Sequence, residues 1–262
     1  MNGETALAII KKTTEDYKKI SDEFIATRIK PWPLFNYFKK YVKDADKVLD
    51  AGCGTGRLIE IFKGTNVEYS GFDTSESSIV FSQKTYNSFL TIPPVFVVKD
   101  MVDFPWPVEN ESFDIIFMIA VFHHIPSAGL RQEVLREAQR VLKPGGKLIM
   151  TNWDLRSIWA VKKFWPEILR TFFPRSNLDR GDFFTPWKLK KIPLNPPLVK
   201  GEIKGDLKRE ERIFRFYHSF SLREIKKEIR QSGLTILENY YTVSGERSNF
   251  LFSRNILTIA QK

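Results

Sequence analysis

The sequence predicts an α/β fold, a mostly parallel sheet with helices on both faces, and three observations carry the prediction. Short apolar runs alternate with amphipathic segments through the first 150 residues. Three successive runs lead into an acid, at Asp50, Asp73 and Asp100. After the first run the chain turns through glycines at alternate positions, Gly52, Gly54 and Gly56. A chain of 262 residues with 42% apolar content is long enough for one well-packed domain and short for two.

Taken in order, residues 13–29 set Tyr17, Ile20, Phe24 and Ile25 at helical spacing and predict a helix over the front of the domain. Pro31 and Pro33 end it and start a second, whose buried face is Leu34, Phe35, Phe38, Tyr41 and Val42. Residues 1–45 thus read as a helical cap. Strand one is Lys47–Ala51, and the helix opened by Gly56 reaches about Phe62. Val67–Asp73 is strand two, Ser75–Tyr86 a helix, and Val95–Lys99 strand three. Phe113–Ala120, apolar almost throughout, has the pattern of a central strand buried on both faces. Ser127 caps a helix bearing Leu130, Val134, Leu135, Ala138, Val141 and Leu142; Lys143-Pro144-Gly145-Gly146 terminates it, and Lys147–Thr151 is strand five. Residues 46–152 therefore form the sheet core, with a right-handed doubly wound topology.

The remainder is less regular. From 153 to 220, tryptophans and phenylalanines are interleaved with arginines and lysines, a mixture that suits unstacked bases and phosphates or, equally, a cap whose aromatics fill its own core. Pro193–Glu211, rich in Pro, Gly, Lys and Glu, reads as a mobile insertion. Ser221 and Glu224 form a capping box for a helix to Ser232 that Gly233 ends, and 221–262 close the domain with that helix and two strands, Leu234–Val243 and Asn249–Ala260.

Charge separates the two halves. The +10 net charge comes entirely from residues 151–262, which hold 22 Lys and Arg against 12 Asp and Glu, whereas residues 1–150 hold 19 of each. A neutral ligand-binding half beside a basic half suggests a polyanionic substrate. One cysteine and three histidines without zinc-motif spacing argue against a disulfide framework or a metal site, so no metal is expected and the thiol suits a reducing cytoplasm. The patch Ala6–Ile10 is too short for a signal-peptide core, and no apolar run approaches bilayer length, so no membrane partner is expected.

The glycine turn locates the ligand. Glycines permit a tight turn and let backbone N–H groups approach a bound molecule. The dinucleotide fingerprint would need its third glycine at position 57, where Arg57 stands, so hydride transfer is disfavoured. Asp50-x-Gly52-x-Gly54-x-Gly56 resembles instead the first motif of the class I S-adenosylmethionine methyltransferases. The resemblance implies a Rossmann-like, seven-stranded, mostly parallel sheet with an antiparallel C-terminal strand pair, and S-adenosylmethionine as cofactor. It implies that Asp50, Gly52, Cys53, Gly54 and Gly56 hold the methionine end, that Asp73 with Thr74 holds the ribose, and that Asp100 and Met101 hold the adenine, with Ala120 beside the methyl group.

Four segments resemble more narrowly the wobble-uridine tRNA methyltransferases that esterify 5-carboxymethyluridine: Ile20–Arg28 with Lys30–Pro33, Ile119–Ile125, Phe183–Trp187 and Arg215–Phe220. That resemblance makes tRNA the partner, gives catalytic roles to Arg28, His124, Tyr217 and His218, and substrate contacts to Arg28, Trp32, Trp153 and Arg215. The related eukaryotic enzymes work with a small zinc-binding activator, for which Val95–Val98 is a candidate edge. A methyltransferase of quinone- or polyketide-type small molecules is the alternative enzyme, and a non-catalytic cofactor-binding regulator the alternative of another class. Cys53 is badly placed for pyrimidine C5 chemistry, which needs a nucleophilic thiol.

Overall fold

The computed structural model describes residues 1–170, 178–187 and 213–262, with the side chains of 165–170 left aside. The expected mobile insertion at 193–211 lies outside the described residues. Five strands run parallel: β1 (Lys47–Ala51), β2 (Glu68–Asp73), β3 (Val95–Val98), β4 (Phe113–Ile119) and β5 (Leu142–Trp153). A hairpin, β6 (Asp182–Trp187) with β7 (Ile213–His218), stands apart as a two-stranded sheet. The chain then returns to the main sheet through β8 (Thr235–Val243), the two-residue β9 (Glu246–Arg247) and β10 (Asn255–Gln261), giving the order β3-β2-β1-β4-β5-β10-β8-β9. β10 is antiparallel to both β5 and β8, as expected. The sheet has eight strands where the resemblance implied seven, because β9 folds back on β8.

Each face of this sheet carries its own core. On one, Leu49, Ile116, Met118 and Leu148 pack with Val134, Leu135, Ala138 and Val141 of α5 (Ala128–Val141) and Ile225 and Ile229 of α7 (Leu222–Gln231). On the other, Val48, Ile115, Phe117 and Ile149 pack with Phe35 and Phe38 of α3 (Phe35–Phe38), Leu58 and Ile59, and Ile79 of α4 (Glu76–Tyr86). β4 serves both, and each large side chain it buries contributes roughly 1.5–3 kcal/mol.

Several boundaries differ from expectation for local reasons. The N-terminal helix begins at Gly3 rather than 13, because the Asn2 side chain caps it by accepting from the Thr5 N–H and because Ala6 and Ile9 turn inward. It runs as α1 (Gly3–Lys19) and, after a break at Ile20, as α2 (Ser21–Ala26). After Gly56 the chain makes only a 3-10 stretch, Arg57–Phe62. β5 starts at Leu142, which pairs with Phe113 instead of closing α5. Within 153–220, α6 (Ile158–Arg170) and the β6–β7 hairpin build a small cap with its own core of Leu155, Ala160, Phe164, Phe183 and Tyr217. Composition left those aromatics undecided; Phe164 and Phe183 fill the cap, whereas Trp153 and Trp159 stay half-buried at its margin.

Candidate active site

β1 lies between β2 and β4, so the connections leaving it diverge and open a crevice at the carboxyl ends of the strands, where ligands bind in open α/β sheets. The glycine turn forms its floor. Gly52, Gly54 and Gly56 all have φ between +54° and +80°, the left-handed region that favours glycine. The N–H groups of Gly52 and Cys53 both donate to the Phe72 carbonyl, which ties the turn to β2. A Cβ on Gly54 would find nothing nearer than Phe24 at 4.0 Å, so the backbone here faces open space. Gly56 does not line the cleft as expected: a Cβ there would meet Phe96 and Ser82 at 3.0 Å, so it serves close packing.

The floor is acidic. Asp50, Cys53, Asp73, Thr74, Asp100 and Met101 line the cleft. Asp73 accepts one backbone N–H on each oxygen, from Gly54 and from Ser75, both at 2.9 Å, and keeps lone pairs on both. Asp100 accepts from the Val102 N–H at 3.1 Å. Asp50 accepts from the Tyr69 hydroxyl at 2.6 Å through Oδ2, while its buried Oδ1 has no partner. Burial raises the pKa of all three, that of Asp50 to about 7, with the Asp73 charge adding to the shift of Asp50 and the Asp100 charge to that of Asp73. An unpartnered buried oxygen, an open glycine backbone and three crowded carboxylates fit a cationic ligand with hydroxyls to donate, as S-adenosylmethionine is.

The opposite end is basic and aromatic. β4 stops at Ile119, Ala120 takes φ +54°, and the strained turn sends Val121–His124 across the cleft. The His124 Nδ1–H donates to the Phe216 carbonyl at 2.8 Å, and Nε2 accepts from the Tyr17 hydroxyl at 3.1 Å. Burial, with the nearby charges of Arg215 and Arg28, lowers the His124 pKa to about 3, so the imidazole is neutral. The Arg28 guanidinium lies 3.8 Å from the centre of the Phe24 ring, and that of Arg215 lies 4.6 Å from the Trp187 ring and 5.3 Å from Tyr217. Neither arginine pairs with a carboxylate among the described residues; both charges oppose protonation of His124, and both act against the rise that burial imposes on the Tyr217 pKa. The buried Arg215 Nε and Tyr217 hydroxyl have no hydrogen-bond partner. Trp32 and Trp153 complete the walls.

Of the residues given catalytic or substrate roles, His124, Arg28, Tyr217, Trp32, Trp153 and Arg215 line this one cleft, and His218 does not. His218 is buried behind the hairpin, its Nδ1 2.5 Å from Asp182 and its Nε2 2.8 Å from Glu224. Those two carboxylates raise its pKa against the effect of burial, so it fastens β7 to β6 and α7 instead of meeting a ligand. His123 is likewise internal, stacked on Tyr217 at 5.3 Å. Sequence reasoning missed Tyr17 as a site residue: its helical spacing marked it as apolar packing, and only the fold sets its hydroxyl against His124. Trp187, whose indole N–H donates to Glu23 at 3.0 Å, was likewise not singled out for its own role.

With this geometry the sequence can be compared with known proteins. Residues 42–174 match the methyltransferase domain family, about half of the chain. The chain belongs to that family. Among curated relatives, the methyltransferase is 28% identical over 226 residues to the tRNA (carboxymethyluridine(34)-5-O)-methyltransferase of Schizosaccharomyces pombe, covering 86% of this chain and 89% of that one. A protein of the same name from Arabidopsis thaliana is 26% identical over 76% of the chain, but the match spans only 46% of its length. Among solved structures, the complex between the Haloferax volcanii Trm112 methyltransferase activator and a methyltransferase contains a chain that superposes with a TM-score of 0.57 at 14% identity, covering 94% of this chain and 96% of that one. At that identity the superposition establishes the fold.

Proposed function

We propose that the methyltransferase uses S-adenosylmethionine to convert the side-chain carboxylate of 5-carboxymethyluridine, at the wobble position of tRNA, into its methyl ester. The observation that carries this reading is the pair Arg28 and Arg215, two guanidinium groups at the cleft without a carboxylate partner among the described residues. A buried cation without a counter-charge is costly, so such a site suits an anionic acceptor that completes it. The activity for which the two relatives are named suggests the acceptor's identity, and the basic residues beyond 150 suit the surrounding phosphates.

When bound, S-adenosylmethionine supplies a methyl group on a positively charged sulfur. In this reading the chain holds that donor and aims the acceptor. Asp73, with Thr74, takes the ribose hydroxyls, Asp50 Oδ1 the amino group, Asp100 and the Met101 N–H the adenine, and Gly52, Cys53 and Gly54 the methionine end. A carboxylate of pKa about 4 is ionised at neutral pH, so no residue need remove a proton. Arg28 and Arg215 would fix it with one oxygen turned towards the strand end at Ala120, where the bound donor would supply its methyl group to that oxygen and keep the C–S electron pair on sulfur. Trp32, Trp153 and Tyr217 shut out water, which would otherwise solvate the attacking oxygen. His124, with both ring nitrogens occupied, holds Tyr17 and the β7 backbone in place.

The same reading takes 1–45 and 153–220 as the cap over a single-domain core. It also assigns the free edge of β3, where Val95, Val97 and Val98 are exposed, to a small activator protein, and sets the work in the cytoplasm. Mass spectrometry of nucleosides from total tRNA incubated with enzyme and isotope-labelled S-adenosylmethionine tests the central claim. Label in the methyl ester of 5-carboxymethyluridine, lost at high salt, is the expected result. Label only in a neutral small molecule, insensitive to salt, overturns it.

A further inference from the structure

A second cleft lies on the far side of the wall formed by Trp32 and Trp153, since both side chains line it as well as the first. Its other principal residues are Trp159 of α6 and Arg254, on the loop before β10. The Arg254 guanidinium lies 5.0 Å from the centre of the Trp159 ring, and Lys163 Nζ lies 5.0 Å from it as well. Arg254 and Lys163 are exposed and meet no carboxylate among the described residues. Although Lys163 is exposed overall, burial of part of its side chain, and then the charges of Arg215 and Arg254, lower its pKa. A line of positive charge therefore leads from Arg215, inside the first cleft, past Lys163 to Arg254. The loop that carries Arg254 also presents Phe250 and Phe252 to solvent, at 50% and 65% exposure, the Phe250 ring with one side against Tyr241.

We propose that this second cleft binds the nucleotide adjoining the target in a single-stranded stretch of RNA, its base against Trp159 and the Trp32–Trp153 wall and its phosphate on Arg254 and Lys163. The proposal rests on the RNA reading of the first cleft and extends it by one residue of the acceptor. Aromatic faces beside unpaired cations match a base and its phosphate, because every base has a π-face and stacking tolerates sequence. The continuity of the two clefts across one wall matches a strand passing from target to neighbour.

The test uses the full-length chain and two variants, Trp159→Ala and the exposed-site change Arg254→Glu, with an anticodon stem-loop carrying 5-carboxymethyluridine and with the free nucleoside as acceptors. Both variants are expected to raise KM for the stem-loop about tenfold, to change kcat less than about twofold, and to leave the free nucleoside's kcat/KM as in the parent. Direct binding of the stem-loop is followed in parallel by fluorescence anisotropy. If the parent methylates the stem-loop and both variants keep its KM, the second site falls while the first reading stands. If the parent binds but does not methylate the stem-loop and the variants lose binding, the second site stands and the esterification reading falls. Absence of both binding and methylation removes both.

Discussion

The two ends of the cleft are built to opposite rules. At the floor, three carboxylates crowd together on the ends of three leading strands, Asp50, Asp73 and Asp100; Asp73 and Asp100 accept from backbone N–H groups of nearby turns, and Asp50 accepts from Tyr69 on the neighbouring strand. At the mouth, two arginines face aromatic rings and a neutral histidine, and the groups come from α1, the end of α2, the turn after β4 and β7. Negative charge below and positive charge above match a cationic donor and an anionic acceptor, and the field between them favours bringing the two together. Because the two ends share no side chain, they can be disabled separately.

The largest expected effect is a double dissociation. Asp73→Ala removes the carboxylate proposed to accept from two ribose hydroxyls, in charge-assisted bonds worth about 1.5–3 kcal/mol each; S-adenosylmethionine affinity by calorimetry should fall at least about 100-fold. Arg28→Ala combined with Arg215→Ala should leave that affinity within about threefold, yet lower kcat/KM for tRNA about 100-fold or more, since both guanidinium groups proposed to hold the carboxylate are lost. A double-arginine variant that methylates like the parent would show that the mouth is not the acceptor site.

The contrast also explains what the sequence could and could not reveal. The floor is local: strand, acid, glycine turn and helix follow one another within 25 residues, so the chemistry of Asp50–Gly56 and Asp73 is legible as a string. The mouth is assembled from positions up to 200 residues apart, Tyr17 to Tyr217, and no spacing rule reaches that far. His218 illustrates the failure. In the run Arg215–Phe220 it stands beside Tyr217, but strand alternation sends neighbours to opposite faces, so Arg215 and Tyr217 reach the cleft while His218 points back to Asp182 and Glu224. Tyr17 fails the other way, a ring read as core because its hydroxyl's partner is 107 residues distant.

A second, smaller effect sharpens the account of the floor. Asp50 holds its proton to about pH 7 because burial penalises its charge. The unfolded chain loses that proton near pH 4, so between about pH 4 and pH 7 the native state binds more protons, and the free protein's stability falls as pH rises through that window. The cationic amino group proposed to sit against Oδ1 would reverse the preference. S-adenosylmethionine binding should therefore expel a proton below pH 7, and affinity should weaken by up to about tenfold per unit as pH falls below that value. Asp50→Asn should bind about tenfold more weakly at pH 8 and lose most of the pH dependence. Calorimetry in buffers of different ionisation enthalpy counts the proton directly.

The smallest expected effect, an absence, separates the mouth from an ordinary acid–base site. A histidine that worked as a base would impose a limb near pH 6.5 on the rate. Here His124 stays neutral down to about pH 3, with Nδ1–H given to Phe216 and Nε2 taken by Tyr17. Because its folded pKa is depressed, its contribution to stability is full above pH 6.5 and is lost as pH falls towards 3, where it becomes charged. Methyl transfer at saturating cofactor and tRNA should then be flat from pH 6 to pH 9, since the Asp50 effect falls on affinity. His124→Gln should lower kcat about tenfold by releasing Tyr17, with the pH profile unchanged in shape. A limb near pH 6.5 that His124→Gln abolishes would mean that a proton moves at the mouth, and the acceptor would then have to be a group that carries one.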